Sequence, residues 1–189
     1  MIALRAAAAA FLLVPPAIAP AQSAASAQGR PHCVAPASAA RDAWRRDHLW
    51  RYASAEDADC AYVLLYRSQT PWPSWHSPSY RYLPAGTRFQ MAFSPGQPPE
   101  RPGAFGTFDP IPDVRYVRQA LAVKEAWKPK IDRVVTFEVL EPLPVDAGTV
   151  GPQIDGVRYL PGGGSQFQIL VPGAVRIAYL KVVDVRPIR

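Results

Sequence analysis

Val134 to Gln168 reads VVTFEVLEPLPVDAGTVGPQIDGVRYLPGGGSQFQ, and this stretch decides the fold. It runs as a β-branched strand, a proline-punctuated turn, a second short strand, a triple-glycine turn, and a strand that opens on Ser165 and Gln166. Gly162 to Gly164 carry no side chains to shield their backbone, so this turn lets another chain or a ligand come close. Gln166 follows directly, with an amide that both donates and accepts hydrogen bonds.

Outward from this stretch, short elements recur. Thr87 to Phe93 alternates Phe89, Met91 and Phe93 with polar or small residues, the pattern of a half-buried strand. Ile131 to Leu140 reads as a strand. Gly173 to Ile188, alternating Val175, Ile177 and Tyr179, is expected to close the sheet. Ala61 to Tyr66, AYVLLY, reads as a buried strand with Arg67 at its end. Ser38 caps an expected helix reaching Tyr52, and a second cap signal, Ser54 to Asp57, leads to Cys60. Asp113 caps an expected helix through Trp127, which Pro129 stops. Residues 68–86 and 94–112 are proline-rich loops, and loops this long inside a domain tend to carry function. The fold class is α+β, a small mostly antiparallel β core with one or two helices and no βαβ alternation.

Residues 1–28 have one charge, Arg5, an apolar run from Ala6 to Val14, and small-residue sites at Ala17-Ile18-Ala19 and Ala25-Ser26-Ala27. This is the pattern of a signal peptide, too short to span a bilayer. The expected organisation is a signal at 1–28, a helical and strand segment at 29–80 and a main domain at 81–189, in a secreted or periplasmic protein. No later stretch has the length and apolarity of a membrane span. Cys33 and Cys60 suit an oxidising compartment as a disulfide, with two free thiols as the alternative. With His32, His48 and His76 they match no usual zinc spacing, so no metal is expected. The net charge of +6 suits an anionic ligand such as a dinucleotide, or an acidic partner. No dense basic run points to nucleic acid.

Val139 to Val145 (VLEPLPV), then Ala147-Gly148, Gly151-Pro152 and Pro161-Gly162-Gly163-Gly164-Ser165-Gln166, resembles the TNT family. These are secreted NAD glycohydrolase toxins related to the tuberculosis necrotizing toxin and to fungal surface NADases. The resemblance implies a core similar to that of the ADP-ribosyltransferases, holding NAD between two small sheets. NAD or NADP would be substrate rather than cofactor, and an immunity protein a partner. Glu100-Arg101-Pro102-Gly103 and Gly106-Thr107-Phe108 resemble the family's Asp-Arg-Phe-Gly turn and Gly-x-aromatic, with one residue deleted. This assigns Arg101 to the pyrophosphate and Phe108 to the nicotinamide end. Tyr116 to Leu121 resembles the family's aromatic-Gln-Arg-Ala-Leu with Arg118 and Gln119 exchanged, and it offers Arg118 as a further phosphate contact. Gly163 and Gly164 would form the NAD-binding turn.

Gln166 is the expected catalytic residue. Breaking the nicotinamide–ribose bond passes through an oxocarbenium-like state, and nicotinamide leaves without protonation, so an amide on the ribose hydroxyls can orient and stabilise without titrating. Arg101, Phe108 and Gln166 are therefore expected around one hollow. One departure is plain: where the family commonly has Tyr-His-x-Tyr, this chain reads Val134-Val135-Thr136-Phe137. Val135 in the histidine position keeps a catalytically silent module, binding NAD or a partner, as an alternative. Leu65-Tyr66-Arg67 resembles the strand-end arginine of ADP-ribosylating toxins and offers mono-ADP-ribosyl transfer as another.

Overall fold

Leu143 to Thr149 and Ser165 to Ile169 pair antiparallel at the centre of the molecule, so the diagnostic stretch supplies the middle of a sheet. The computed structural model describes residues 33–68 and 70–189; the expected signal segment lies outside them. In chain order the elements are α1 (Ala39–His48), α2 (Ala55–Arg67), β1 (Ser79–Leu83), β2 (Arg88–Phe93), β3 (Phe105–Gly106), α3 (Val114–Gln119), β4 (Arg133–Val139), β5 (Leu143–Thr149), β6 (Gln153–Asp155), β7 (Arg158–Leu160), β8 (Ser165–Ile169) and β9 (Leu180–Pro187).

The strands form a four-stranded sheet in the order β1-β5-β8-β3, a three-stranded sheet β2-β4-β9, and the β6-β7 hairpin, all antiparallel. The class is α+β, as expected. Alternation places Phe89, Met91, Phe93, Val135 and Phe137 from one sheet against Val145, Ala147, Phe167 and Ile169 from the other in one apolar core. Phe89 and Phe167 meet edge to face, 4.9 Å apart, across it. Val135, at the position the resemblance gives to histidine, is fully buried in this core. Gln90 and Thr107 exchange backbone bonds of 2.9 and 3.0 Å, which joins the two sheets through β2 and β3.

All three expected N-caps form: the Ser38 hydroxyl accepts from Arg41 N, that of Ser54 from Asp57 N, and the Asp113 carboxylate from Tyr116 N. Trp44 is buried, and its indole donates to Ala58 O at 3.0 Å. Asp59 takes both Arg41 and Arg45, and a disulfide joins Cys33 to Cys60. The two helices pack on Ile154 and Tyr159 of the β6-β7 hairpin.

Three expectations are corrected. Ala61 to Tyr66 is not a buried strand but the second half of α2. With a good cap, acidic Glu56 and Asp57 in the first turn and no glycine or proline before Pro71, the helix propagates through the apolar run. It turns Tyr62 inward and leaves Leu64 and Tyr66 68% and 56% exposed. Arg67 is therefore at a helix end, which removes the strand-end arginine that suggested ADP-ribosyl transfer. The helix from Asp113 ends at Gln119 instead of reaching Trp127, because Ala122 adopts a left-handed φ of 46°. Gly173 to Tyr179 is a 3₁₀ helix, and only β9 closes a sheet.

Candidate functional site

A cavity of about 310 Å³ opens beside β3, walled by β2, the 103–107 segment, α3 and the turn after it, Pro71, Val150, Gln153 and Gln166. Its wall is mainly apolar, with Met91, Ile111, Val117, Leu121 and Trp127 among the contributors. Lys128 is its single charged residue among the described ones, and its ammonium donates to Ala92 O at 3.0 Å. Burial first, then the charge of Arg118, lowers the Lys128 pKa from its ordinary value.

Gln166 is 7% exposed, and its Nε2 has no hydrogen-bond partner. A buried amide hydrogen left unpaired costs about 1–3 kcal/mol, so such groups are completed by the protein, by a bound water or by a ligand. The glycine turn fixes where this residue sits. Gly162 N donates to Gln119 O, Gly163 N to Val150 O and Gly164 N to Ala120 O, at 2.9 to 3.0 Å. A Cβ on Gly162 would lie 2.6 Å from Val150 O. The close approach that the glycines permit is thus made by the chain itself, which docks the turn on the end of α3. Gly163 and Gly164 are structural in this arrangement and do not belong to the cavity wall.

Ser165 completes the seating of β8. Its N donates to Asp109 Oδ2 at 2.6 Å, and its hydroxyl accepts from Phe108 N at 3.1 Å and lies 3.0 Å from the Thr107 hydroxyl. Tyr116 OH also donates to Asp109 Oδ2, at 2.8 Å. Burial opposes the charge on Asp109, but the hydrogen bonds from Ser165, Tyr116 and Thr107 outweigh it and hold the carboxyl below its ordinary pKa. Burial, reinforced by Asp109, pushes the Tyr116 hydroxyl up to about 12. Asp109 was not singled out in the sequence; a lone Asp before Pro in a proline-rich loop carries no distinguishing pattern.

The expected convergence of Arg101, Phe108 and Gln166 on one hollow is not what the structure shows. Only Gln166 lines the cavity. Phe108 packs on Phe167, with ring centres 4.8 Å apart, and the Arg81 guanidinium lies 5.2 Å over it. Phe167 faces the core, and the two-residue strand period turns its neighbour Gln166 to the other side. Arg101 is exposed on the loop leading into Gly103 and Ala104 of the wall. Arg118 gives its Nη donors to the carbonyls of Val123, Lys128 and Pro129, at 2.7 to 3.3 Å. Its fork clamps the turn after α3 and is not offered to a phosphate. Gln153, which the sequence reading passed over, lies 1% exposed in the wall.

No protein-family profile and no curated protein matches the sequence. Among solved structures, a chain of Tne2 in complex with Tni2 matches with a TM-score of 0.53 at 22% identity, covering 62% of this chain and 97% of that one. Weaker matches are a chain of Rhs1-CT in complex with the cognate immunity protein RhsI1 (TM-score 0.42, 16% identity, 58% and 78% covered) and one of Tse6 in complex with Tsi6 (0.40, 16%, 76% and 93%). The β core described above therefore has the fold of the chain matched in the Tne2–Tni2 complex.

Proposed function

We propose that the protein is an exported toxin that cleaves the nicotinamide–ribose bond of NAD or NADP, with Gln166 at the reacting end. The observation that carries this reading is the buried Gln166 amide, without a partner for its Nε2, in the wall of an apolar cavity of about 310 Å³. That volume is at the lower end of small-molecule sites and suits the nicotinamide riboside end of a dinucleotide. The motif resemblance around PLPV and GGGSQ supports the substrate class.

In this reading Gln166 Nε2 donates to a ribose hydroxyl and the apolar wall holds the leaving ring in low dielectric, which strengthens each polar contact to the developing oxocarbenium charge. As neutral nicotinamide leaves, one water reaching the open face of the ribose bonds to C1′ and gives its proton to solvent, releasing ADP-ribose. Arg101, exposed outside the cavity, meets the pyrophosphate. Export is supported by the leader-like first residues and by the Cys33–Cys60 disulfide. No helix among the described residues is long and apolar enough to cross a membrane. An enzyme that destroys NAD calls for an immunity partner in the producing cell.

A second reading, binding without turnover, is favoured by the cavity wall itself: it holds no carboxylate, histidine or arginine among the described residues. Incubating the purified chain with NAD and NADP separates the two. Nicotinamide release selects the hydrolase, and calorimetric binding with intact dinucleotide selects the silent module.

A further inference from the structure

Gln153 opens β6 directly after Gly151-Pro152 and is 1% exposed. Its Nε2 donates to Thr70 O at 2.6 Å, which fixes the rotation of the amide, since exchanging its nitrogen and oxygen would set two acceptors against each other. The Oε1 is then an acceptor by construction, and it has no donor. Gln166 shares the same wall, and its unpartnered atom is a donor, the Nε2. The two orphan atoms are not bonded to each other. Such a pair is costly in a folded protein unless a ligand or a bound water supplies the missing partners.

We propose that Gln153 is the specificity-determining residue of this cavity: its Oε1 accepts a neutral N–H from the ring substituent of the ligand, so that the cavity selects a primary carboxamide. The inference rests on the nicotinamide reading above and assigns the two amides separate tasks, Gln166 on the ribose and Gln153 on the ring substituent. Ile111, Val117, Leu121 and Trp127 contribute apolar surface to the same wall, which suits an uncharged aromatic ring. Lys128, whose ammonium donates to Ala92 O, is the one charge in the wall among the described residues, so nicotinate is the probe that sets that charge against the unpaired Gln153 Oε1. A carboxylate substituent would bring a charge and no donor, and an acetyl substituent an oxygen and no donor. Either one leaves the buried Oε1 unpaired. A site built to hydrogen-bond an N–H discriminates strongly against the analogue lacking it.

The test uses the intact mature protein and three small probes of nearly equal size: nicotinamide, 3-acetylpyridine and nicotinate, each titrated by NMR. The inference expects nicotinamide to bind at least about tenfold more tightly than either of the others. Equal affinities, tighter binding of nicotinate, or no measurable binding of any probe overturns it. Gln153→Met, checked for folding by thermal melting, is expected to erase the preference while retaining some affinity for all three probes; a preference that survives in this variant also overturns the inference. Turnover gives a separate arm. If NAD and its 3-acetylpyridine analogue are cleaved with equal kcat/KM, this inference fails and the hydrolase reading stands. If nicotinamide is preferred in binding but NAD is never cleaved, the inference stands and the hydrolase reading fails.

Discussion

Replacing Asp109 with alanine removes one carboxylate oxygen that two separate elements share. Its Oδ2 accepts from Ser165 N at 2.6 Å and from Tyr116 OH at 2.8 Å, tying the start of β8 to α3. Hydrogen bonds to a charged group contribute about 1.5–3 kcal/mol each, and Asp109 is only half-buried, so the lower end applies and the expected loss is about 3 kcal/mol. For a chain of this size that corresponds to a fall in Tm of about 6–12 °C. Tyr116→Phe should cost about half as much, and the double variant less than the sum, because both substitutions break one shared contact. The pH dependence carries a sign. The folded carboxyl sits below its ordinary value of 3.8, so its contribution is complete above about pH 4 and is lost as pH falls through the depressed folded pKa. Asp109→Ala should therefore flatten the acid limb of stability. Urea denaturation of the four proteins at pH 7 and pH 3 measures all of this. Because Ser165 precedes Gln166, turnover in the alanine variant should also fall by about tenfold or more through misplacement of the amide. An Asp109→Ala protein within about 0.5 kcal/mol of the parent would refute the reasoning.

Burial lowers the His48 pKa from its ordinary 6.5, and its Nε2 lies 2.7 Å from Tyr159 OH. Stability should thus be complete above about pH 6.5 and decline as pH drops toward the lower folded value; thermal melts of the parent should show this, and those of His48→Gln should not. Reducing the Cys33–Cys60 bond, which spans 27 residues, should cost about 3–4 kcal/mol in the chain-entropy model, read as a shift in urea midpoint. Gly106→Ala would set a Cβ 2.5 Å from Phe167 Cζ and 2.9 Å from Phe89 Cδ2, and should destabilise by about 1–3 kcal/mol by the same assay.

What could be read in advance depended on how local the cause was. Phe89, Met91 and Phe93 announce β2 because strand alternation is written into adjacent residues, and Ser38, Ser54 and Asp113 announce helix starts because capping is a contact over three residues. Ala61 to Tyr66 misled because six apolar residues fit a strand and a helix equally well, and the deciding cap lies seven residues upstream at Ser54. The end of α3 was hidden for a different reason. A left-handed Ala122 has no sequence signature, and the clamp by Arg118 on the carbonyls of Val123, Lys128 and Pro129 exists only once the turn has formed. At the site, the motif singled out Gln166 in the sequence, and the structure places that residue in the cavity wall. Gln153 became visible only through what its two amide atoms do and do not touch.

The central claim is that Gln166 serves cleavage of the nicotinamide–ribose bond, and nicotinamide release from NAD by the purified chain, beside a folded Gln166→Ala variant, tests it most directly. The account predicts turnover by the parent and a loss of roughly 100-fold or more in the variant. A folded parent that releases no nicotinamide, or a variant that matches the parent, would contradict it.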